Sequence, residues 1–244
     1  MADDRVSLLR PDTPEWKLWS LVAEFSSHLD PTQWALIGGQ MVALHLHLAG
    51  EVPGRTTIDI DVVADLIAAA DSFRACRAAA AAMDLVAQPS ITGRNLHRFA
   101  GAAGQIDLMV ADHLPSAVTG LFTRPAPVSI AGGQRALDRR IIVEIETEFG
   151  RGHVPLPDLV GALVLKARAA IADTRDRERH LTDLAQLASI INDPIGLIGA
   201  LDKKERRALR RVDLSHDPTQ SPWLALDEAK RQRSVDAWSA LAAG

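Results

Sequence analysis

Two aspartates stand two positions apart inside an apolar run, the segment IDIDVV at residues 58–63. In a strand, alternate side chains share a face, so Asp59 and Asp61 would point to one side and their apolar neighbours to the other. Two like charges side by side are unfavourable unless a cation or hydrogen-bond donors meet them. The segment therefore predicts a strand over 57–64 whose acids either face solvent or bind a cation.

A third aspartate has a similar setting. The stretch GQIDLMV places Asp107 between Ile106 and Leu108 on a predicted neighbouring strand, where a carboxylate without a partner would be costly. Carboxylate oxygens are ligands that Mg²⁺ prefers, and such sets serve phosphoryl and nucleotidyl transfer when phosphate oxygens complete the site. The three acids Asp59, Asp61 and Asp107 are thus candidate catalytic and metal-binding residues.

A glycine pair, Gly38-Gly39, follows the apolar run 34–37 and precedes a helical pattern. Where no side chain intervenes, backbone amides at the start of a helix can approach an anion such as a phosphate. A tight strand-to-helix turn is the alternative interpretation. The spacing of the pair fits neither the P-loop nor the dinucleotide-binding fingerprint.

Hydrophobic periodicity changes near residue 150. The predicted helices of the first part span 16–29, 40–48 and 68–83, and its predicted strands span 34–37, 57–64, 85–87, 96–100, 105–110 and 140–146. Residues 111–137 are expected to be irregular, and the predicted helices of the second part span 157–173, 177–191, 195–211 and 222–242. The pattern predicts an α+β fold, with a mixed sheet and flanking helices in a domain 1–150 and a mostly helical domain 151–244.

Composition excludes several classes of protein. The 244 residues contain one cysteine, Cys76, so there is no internal disulfide framework and no cysteine-rich zinc site. No apolar run reaches the ~18 residues that span a bilayer, and the first residues lack the layout of a secretory signal. A cytoplasmic protein is expected. The formal net charge of −4 means that any affinity for nucleic acid must come from a local basic patch.

The order of these features resembles the polymerase-beta-like nucleotidyltransferase superfamily. In both, a glycine pair follows a strand, an aspartate pair occupies a later strand, and a single aspartate lies on another strand. The stretch RTTIDIDVV at 55–63 is more narrowly similar to the AbiEii-type group, which includes the MenT-type toxins. The stretch LPDLVGALVLKARAAIADTRDRERHLTDLAQL at 156–187 resembles that group's later motif, in which one helix carries a lysine and the next an aspartate. The resemblance covers about 34–187.

That resemblance implies a Mg²⁺-dependent enzyme, with Mn²⁺ as a possible substitute, that transfers NMP from an NTP to an acceptor. It implies that Asp183 and Lys166 complete the catalytic set, and that Arg55, Thr57 and Lys166 join the glycine pair in binding nucleotide. Lys166 is also unusual by composition, because it is the one lysine between Lys17 and Lys203. One interpretation is that Lys166 provides a positive charge that binds phosphate. The other is that its side chain extends to solvent from the edge of the core.

Some members of the group modify the 3′ end of tRNA and are toxins neutralised by an antitoxin, so the resemblance also implies an RNA acceptor and a protein partner. An RNA acceptor needs a basic surface, and six basic residues lie between 203 and 211. The candidate RNA-binding residues are Lys203, Lys204, Arg207, Arg210 and Arg211. A solvated helix face is the alternative interpretation.

Two other functions fit the same sequence. One is nucleotidyl transfer to a small molecule such as an aminoglycoside. The other is a non-catalytic module on the same fold that binds nucleotide or protein. Metal-dependent consumption of NTP would separate an enzyme from such a module.

Overall fold

The computed structural model describes residues 5–7, 14–55, 57–90, 93–120, 122, 125–148 and 150–243. All predicted site residues fall within these ranges. The chain forms two compact units, one made of 1–41 with 56–157 and the other of 42–55 with 158–244. The first unit contains all the described strands, and the second is helical.

Nine described strands belong to the first unit. They are β1 (Arg5–Ser7), β2 (Trp34–Ile37), β3 (Ile60–Ala64), β4 (Val86–Pro89), β5 (Asn95–Gly101), β6 (Gly104–Ala111), β7 (Ala126–Ile130), β8 (Arg140–Thr147) and β9 (Gly150–Pro157). The helices of this unit are α1 (Pro14–Ser27), α3 (Ser72–Ala82), α4 (Ser116–Thr119) and α5 (Gly133–Asp138). Helix α2 (Gly38–Leu48) begins in the first unit and continues into the second.

The larger sheet has six strands in the order β2-β3-β6-β7-β5-β4. Strand β3 runs antiparallel to β2 and parallel to β6, and the first half of β6 also pairs antiparallel with β5. Ile60, Ile106 and Leu108 on β3 and β6 are fully buried, as expected for central strands. A second sheet has the order β1-β8-β9, and β9 packs against α1 and β2.

The second unit is built from helices. After the end of α2 it contains α6 (Leu159–Ala172), α7 (Arg177–Ser189), α8 (Pro194–Ala200), α9 (Lys203–Arg210), a 3₁₀ helix (Trp223–Ala225) and α10 (Glu228–Ala243). Helix α10 packs on α7, α8 and α9, where the buried indole rings of Trp223 and Trp238 fill the core. The predicted α+β class with a helical C-terminal half is confirmed.

Several predicted elements of the first unit were wrong in extent. Strand β3 begins at Ile60, not at residue 57, and the helix predicted over 68–83 spans only Ser72–Ala82. The region 111–137, predicted to be irregular, contains α4, β7 and α5, although residues 121, 123 and 124 lie outside the described chain. Strand β1 was not predicted.

Differences also occur after residue 148. The sequence pattern indicated helix almost throughout this part, but 150–157 form strand β9, and α6 begins at Leu159. The helix predicted over 195–211 is two helices, α8 and α9, because Leu201 is extended. The helix predicted over 222–242 is a 3₁₀ turn followed by α10. No helix among the described residues is long and apolar enough to cross a membrane.

Candidate functional site

The three aspartates singled out in the sequence converge in the first unit. One carboxylate oxygen from each of Asp59, Asp61 and Asp107 lies within 4.8 Å of the others. The sheet explains this convergence, because parallel strands β3 and β6 align Asp61 directly beside Asp107. Asp59 precedes β3 by one residue and is half-buried, as Asp61 is, whereas Asp107 is buried.

A hydroxyl group holds the first of these carboxylates. Thr57 is buried, and its Oγ1 donates a hydrogen bond to Oδ1 of Asp59 at 2.9 Å. The sequence analysis assigned Thr57 to nucleotide binding, and the contact that the structure gives this side chain is with Asp59. Orientation of a ligand by a neighbouring donor is a common feature of metal sites.

An arginine that the sequence analysis did not assign to the site binds the third carboxylate. Arg98 on β5 is directly opposite Asp107 and makes two hydrogen bonds to it, Nε to Oδ1 at 3.0 Å and Nη2 to Oδ2 at 2.9 Å. These hydrogen bonds are the main cause that raises the pKa of Arg98, and the charges of Asp107, Asp59 and Asp61 raise it further. Gln105 also donates to Oδ1 of Asp107, at 3.3 Å.

The glycine pair lies next to the second carboxylate. Gly38 has φ +69°, and a Cβ atom there would lie 2.5 Å from Cγ of Asp61. A side chain at this position would therefore be strained and would displace the carboxylate. Helix α2 begins at Gly38, with buried Gly39 as its second residue, so the positive end of its dipole adjoins Asp61.

The donor set of these three acids fits a divalent cation. Oxygen ligands suit Mg²⁺ and Mn²⁺. The guanidinium group of Arg98 offsets one of the three negative charges, and a divalent cation would balance the other two. Asp59, Asp61 and Asp107 are the residues that would hold it.

The other predicted site residues form a cluster in the second unit. Nζ of Lys166 on α6 lies 2.5 Å from Oδ2 of Asp183 on α7, and both side chains are buried. Arg55 reaches the same carboxylate through Nε, 2.9 Å from Oδ1, and Nη2, 3.1 Å from Oδ2. Burial raises the pKa of the Asp183 carboxyl, but Lys166 and Arg55 outweigh that effect, so the pKa is lowered and the group is charged.

The five candidate RNA-binding side chains are all exposed. They lie on α9 and the residue that follows it: Lys203, Lys204, Arg207, Arg210 and Arg211. Asp202 caps the helix in a capping box with buried Glu205, so both acids of this segment serve the helix start.

Arg98 could have been found from the sequence. The glycines of GAAG at 101–104 mark a two-residue turn, and pairing Gly101 with Gly104 sets a register in which Arg98 faces Asp107. No local sequence pattern predicts the contact of Gly38 with Asp61, because only the folded sheet brings these two segments together.

Carboxylates that converge on adjacent strands, beside a glycine turn at a helix start, are consistent with a divalent-metal site of the class of enzymes that act on phosphates. The family model described as "Nucleotidyl transferase AbiEii toxin, Type IV TA system" matches residues 19–244. The chain belongs to this family. Membership makes it a nucleotidyl transferase toxin of a type IV toxin–antitoxin system, which implies a nucleotide substrate and an antitoxin.

One solved structure is similar to this chain over most of its length. It is the crystal structure of an antigenic nucleotidyltransferase-like protein from Paracoccidioides brasiliensis, with 16% sequence identity and a TM-score of 0.47. The similarity covers 81% of this chain and 86% of that one. The sequence matches none of the curated proteins with which it was compared.

Proposed function

We propose that this protein is a Mg²⁺-dependent nucleotidyltransferase that transfers NMP from an NTP to the 3′ end of tRNA. The observation that carries the proposal is the convergence of three carboxylates within 4.8 Å on adjacent strands. In this proposal Asp59, Asp61 and Asp107 hold the metal, which neutralises charge on the phosphates when bound. Mn²⁺ takes the place of Mg²⁺ in the same ligand set.

The residues around the triad have distinct tasks. Thr57 keeps the Asp59 carboxylate oriented, and Arg98 keeps that of Asp107 oriented. Gly38 and Gly39 place no side chain at the start of α2, where its first amides would meet phosphate oxygens. Most of the rate enhancement then comes from positioning and charge neutralisation, as in phosphoryl transfer generally.

The reaction itself is a substitution at phosphorus. The oxygen of the acceptor hydroxyl bonds to the α-phosphorus, the bond from that phosphorus to the α–β bridging oxygen breaks, and pyrophosphate leaves with the electron pair. The hydroxyl proton is released to solvent. No oxidant or second co-reactant is needed.

An RNA acceptor is supported by the basic face of α9. The four exposed cations of α9, together with Arg211 directly after it, would provide phosphate contacts that do not depend on base sequence. A toxin that modifies tRNA would block translation, and a separate antitoxin would counteract it, in keeping with the type IV family description.

Transfer can be tested directly. Purified protein is incubated with total tRNA, Mg²⁺ and each of four α-³²P-labelled NTPs in turn, and label on RNA is measured. We expect label from at least one donor, loss of label with EDTA, and loss of label in the Asp61→Asn variant. Asp71→Asn is the matched control, because Asp71 is an exposed aspartate outside the triad.

The acceptor is tested in the same assay. Label that appears only when an aminoglycoside replaces tRNA would contradict the RNA proposal and favour a small-molecule acceptor. NTP binding without metal-dependent transfer to any acceptor would contradict the assignment of enzymatic activity.

A further inference from the structure

The sheet face that carries the triad continues beyond it as an apolar surface. Alternate residues of a strand share a face, so Met109 lies on the same face of β6 as Asp107, two residues further along. The parallel register places Val128 of β7 directly beside Met109. These two side chains, called the apolar patch below, therefore lie one row of the sheet, roughly 7 Å, beyond the row of Asp107.

The apolar patch is accessible although its neighbours are covered. Met109 is half-buried, whereas the other apolar side chains in the second half of β6 are buried. Val128 is also half-buried. On the other side of Met109 in the same row lies Val63 of β3, which is 0% exposed. The accessible part of this row therefore lies on β6 and β7, away from β2 and β3.

The expected phosphate site lies on the opposite side of the triad. Helix α2 starts directly after β2, and its first residue, Gly38, adjoins Asp61 on β3. The strand order β2-β3-β6-β7 then leads from this helix start through Asp61 and Asp107 to the apolar patch. All of these residues belong to the first compact unit. Within that unit the triad thus separates the start of α2 from the apolar patch.

Substitution at phosphorus gives these two sides different roles. The attacking oxygen and the leaving oxygen lie roughly in line, on opposite sides of the phosphorus. In the proposed function the phosphates meet the amides of α2, so pyrophosphate leaves towards that helix. The acceptor hydroxyl must then arrive from the side of β6 and β7. The group that carries this hydroxyl would lie next to the apolar patch.

We propose that Met109 and Val128 bind the base of the acceptor's terminal nucleotide and are specificity-determining residues for the acceptor. This inference rests on the proposed function. A base offers a flat face for packing, and the thioether of methionine makes favourable contacts with aromatic rings. An aminoglycoside carries polar groups around all its rings, so the apolar patch favours the end of a nucleic acid over that small-molecule acceptor.

The acceptor base can be tested without any change in the protein. Transfer is measured with intact tRNA and with tRNA whose 3′-terminal nucleotide lacks its base but keeps its ribose hydroxyls. We expect removal of the base to lower kcat/KM of wild type by about 10-fold, because the contact with the apolar patch is lost. The Kd of the NTP, measured without acceptor, provides the reference for the donor side.

A double variant then links the base to the apolar patch. Met109→Gln with Val128→Thr keeps the approximate shape of both side chains and makes them polar. We expect kcat/KM with intact tRNA to fall by about 10-fold, and removal of the base to cause little further loss, because both changes remove the same contact. The Kd of the NTP and the affinity for Mn²⁺ should equal those of wild type.

Two further variants serve as controls. Met109→Leu keeps an apolar side chain and should retain most of the preference for intact tRNA. Val86→Thr makes the same change as Val128→Thr at an exposed valine of β4, outside the triad face. It should leave kcat/KM unchanged with both tRNAs. A purely structural effect of the double variant would lower Mn²⁺ affinity and melting temperature together with transfer.

Three results would overturn the inference. They are equal use of both tRNAs by wild type, an equal loss on base removal in wild type and in the double variant, and a double variant whose main defect is weaker binding of NTP. The first comparison does not depend on the stability of any variant. If wild type labels no RNA with any NTP, the proposed function itself fails. If wild type labels both tRNAs equally well, only this inference fails.

Discussion

Each carboxylate of the triad has a different neighbour. Asp59 accepts a hydrogen bond from Thr57, Asp107 is bound by Arg98, and Asp61 lies against the backbone of Gly38. Donors that are fixed before metal binds hold the ligand oxygens in place, so small changes in these neighbours should affect metal affinity.

The hydroxyl of Thr57 gives the simplest test of this view. Thr57→Val removes the hydrogen bond to Asp59 while it keeps the shape of a buried side chain. We expect a loss of metal affinity or transfer rate of about 10- to 100-fold. Thr57→Ser, which retains the hydroxyl, is the control, and equal activity of the valine and serine proteins would contradict the role of Thr57.

The pKa of Asp183 predicts a pH dependence of stability. Burial raises this pKa, but Lys166 and Arg55 together lower it below its ordinary value of 3.8. The charged Asp183 carboxylate therefore stabilises the fold at every pH above its pKa in the unfolded state. This contribution is lost as the pH falls through the lower pKa of the folded state.

Urea unfolding of wild type and Asp183→Asn between pH 3 and pH 7 measures this contribution. The difference in unfolding free energy should be constant at neutral pH and should narrow below about pH 4. A difference in unfolding free energy that grows towards acid pH would contradict a lowered pKa of Asp183 in the folded state.

At the scale of elements, sequence patterns predicted those features that depend on a single strand or turn. Strand β2 was predicted with its observed bounds, and the aspartates were placed on neighbouring strands. Strand β9 was missed because Pro155 and Pro157 argue against a strand. It is the edge strand of its sheet, where a missing N–H can face away from the pairing partner.

The sequence also contains a pattern that marks the division between α8 and α9. Asp202 and Glu205 form the D-x-x-E pattern of a capping box, which marks a helix start within what the hydrophobic pattern suggested was one helix. The Arg55–Asp183 contact had no comparable signal. It joins residues 128 positions apart, and only the packing of α7 brings them together.

The basic face of α9 yields a prediction at this scale. Lys203→Glu with Arg207→Glu should weaken tRNA binding and lower the salt slope of log K by roughly 1.5, since two phosphate contacts are lost. Stability should be retained because both side chains are exposed. Arg74→Glu with Arg77→Glu on α3 reverses two exposed charges elsewhere, and an equal loss of tRNA affinity in that protein would contradict a specific role for α9.

At the scale of the whole molecule, the family match from 19 to 244 covers the second compact unit and all of the first except residues 1–18. The triad lies in the first unit, and the cluster of Arg55, Lys166 and Asp183 lies in the second. The division into domains 1–150 and 151–244 stays a prediction.

The account depends most directly on the carboxylate triad as a metal site. Electron paramagnetic resonance of Mn²⁺ measures this without any assumption about nucleotide or acceptor, because the signal of free Mn²⁺ falls as the ion binds. Wild type should bind Mn²⁺, with an affinity at least about tenfold higher than that of Asp59→Asn/Asp61→Asn, while Asp71→Asn should equal wild type. Equal Mn²⁺ binding by wild type and the double variant would contradict the central claim.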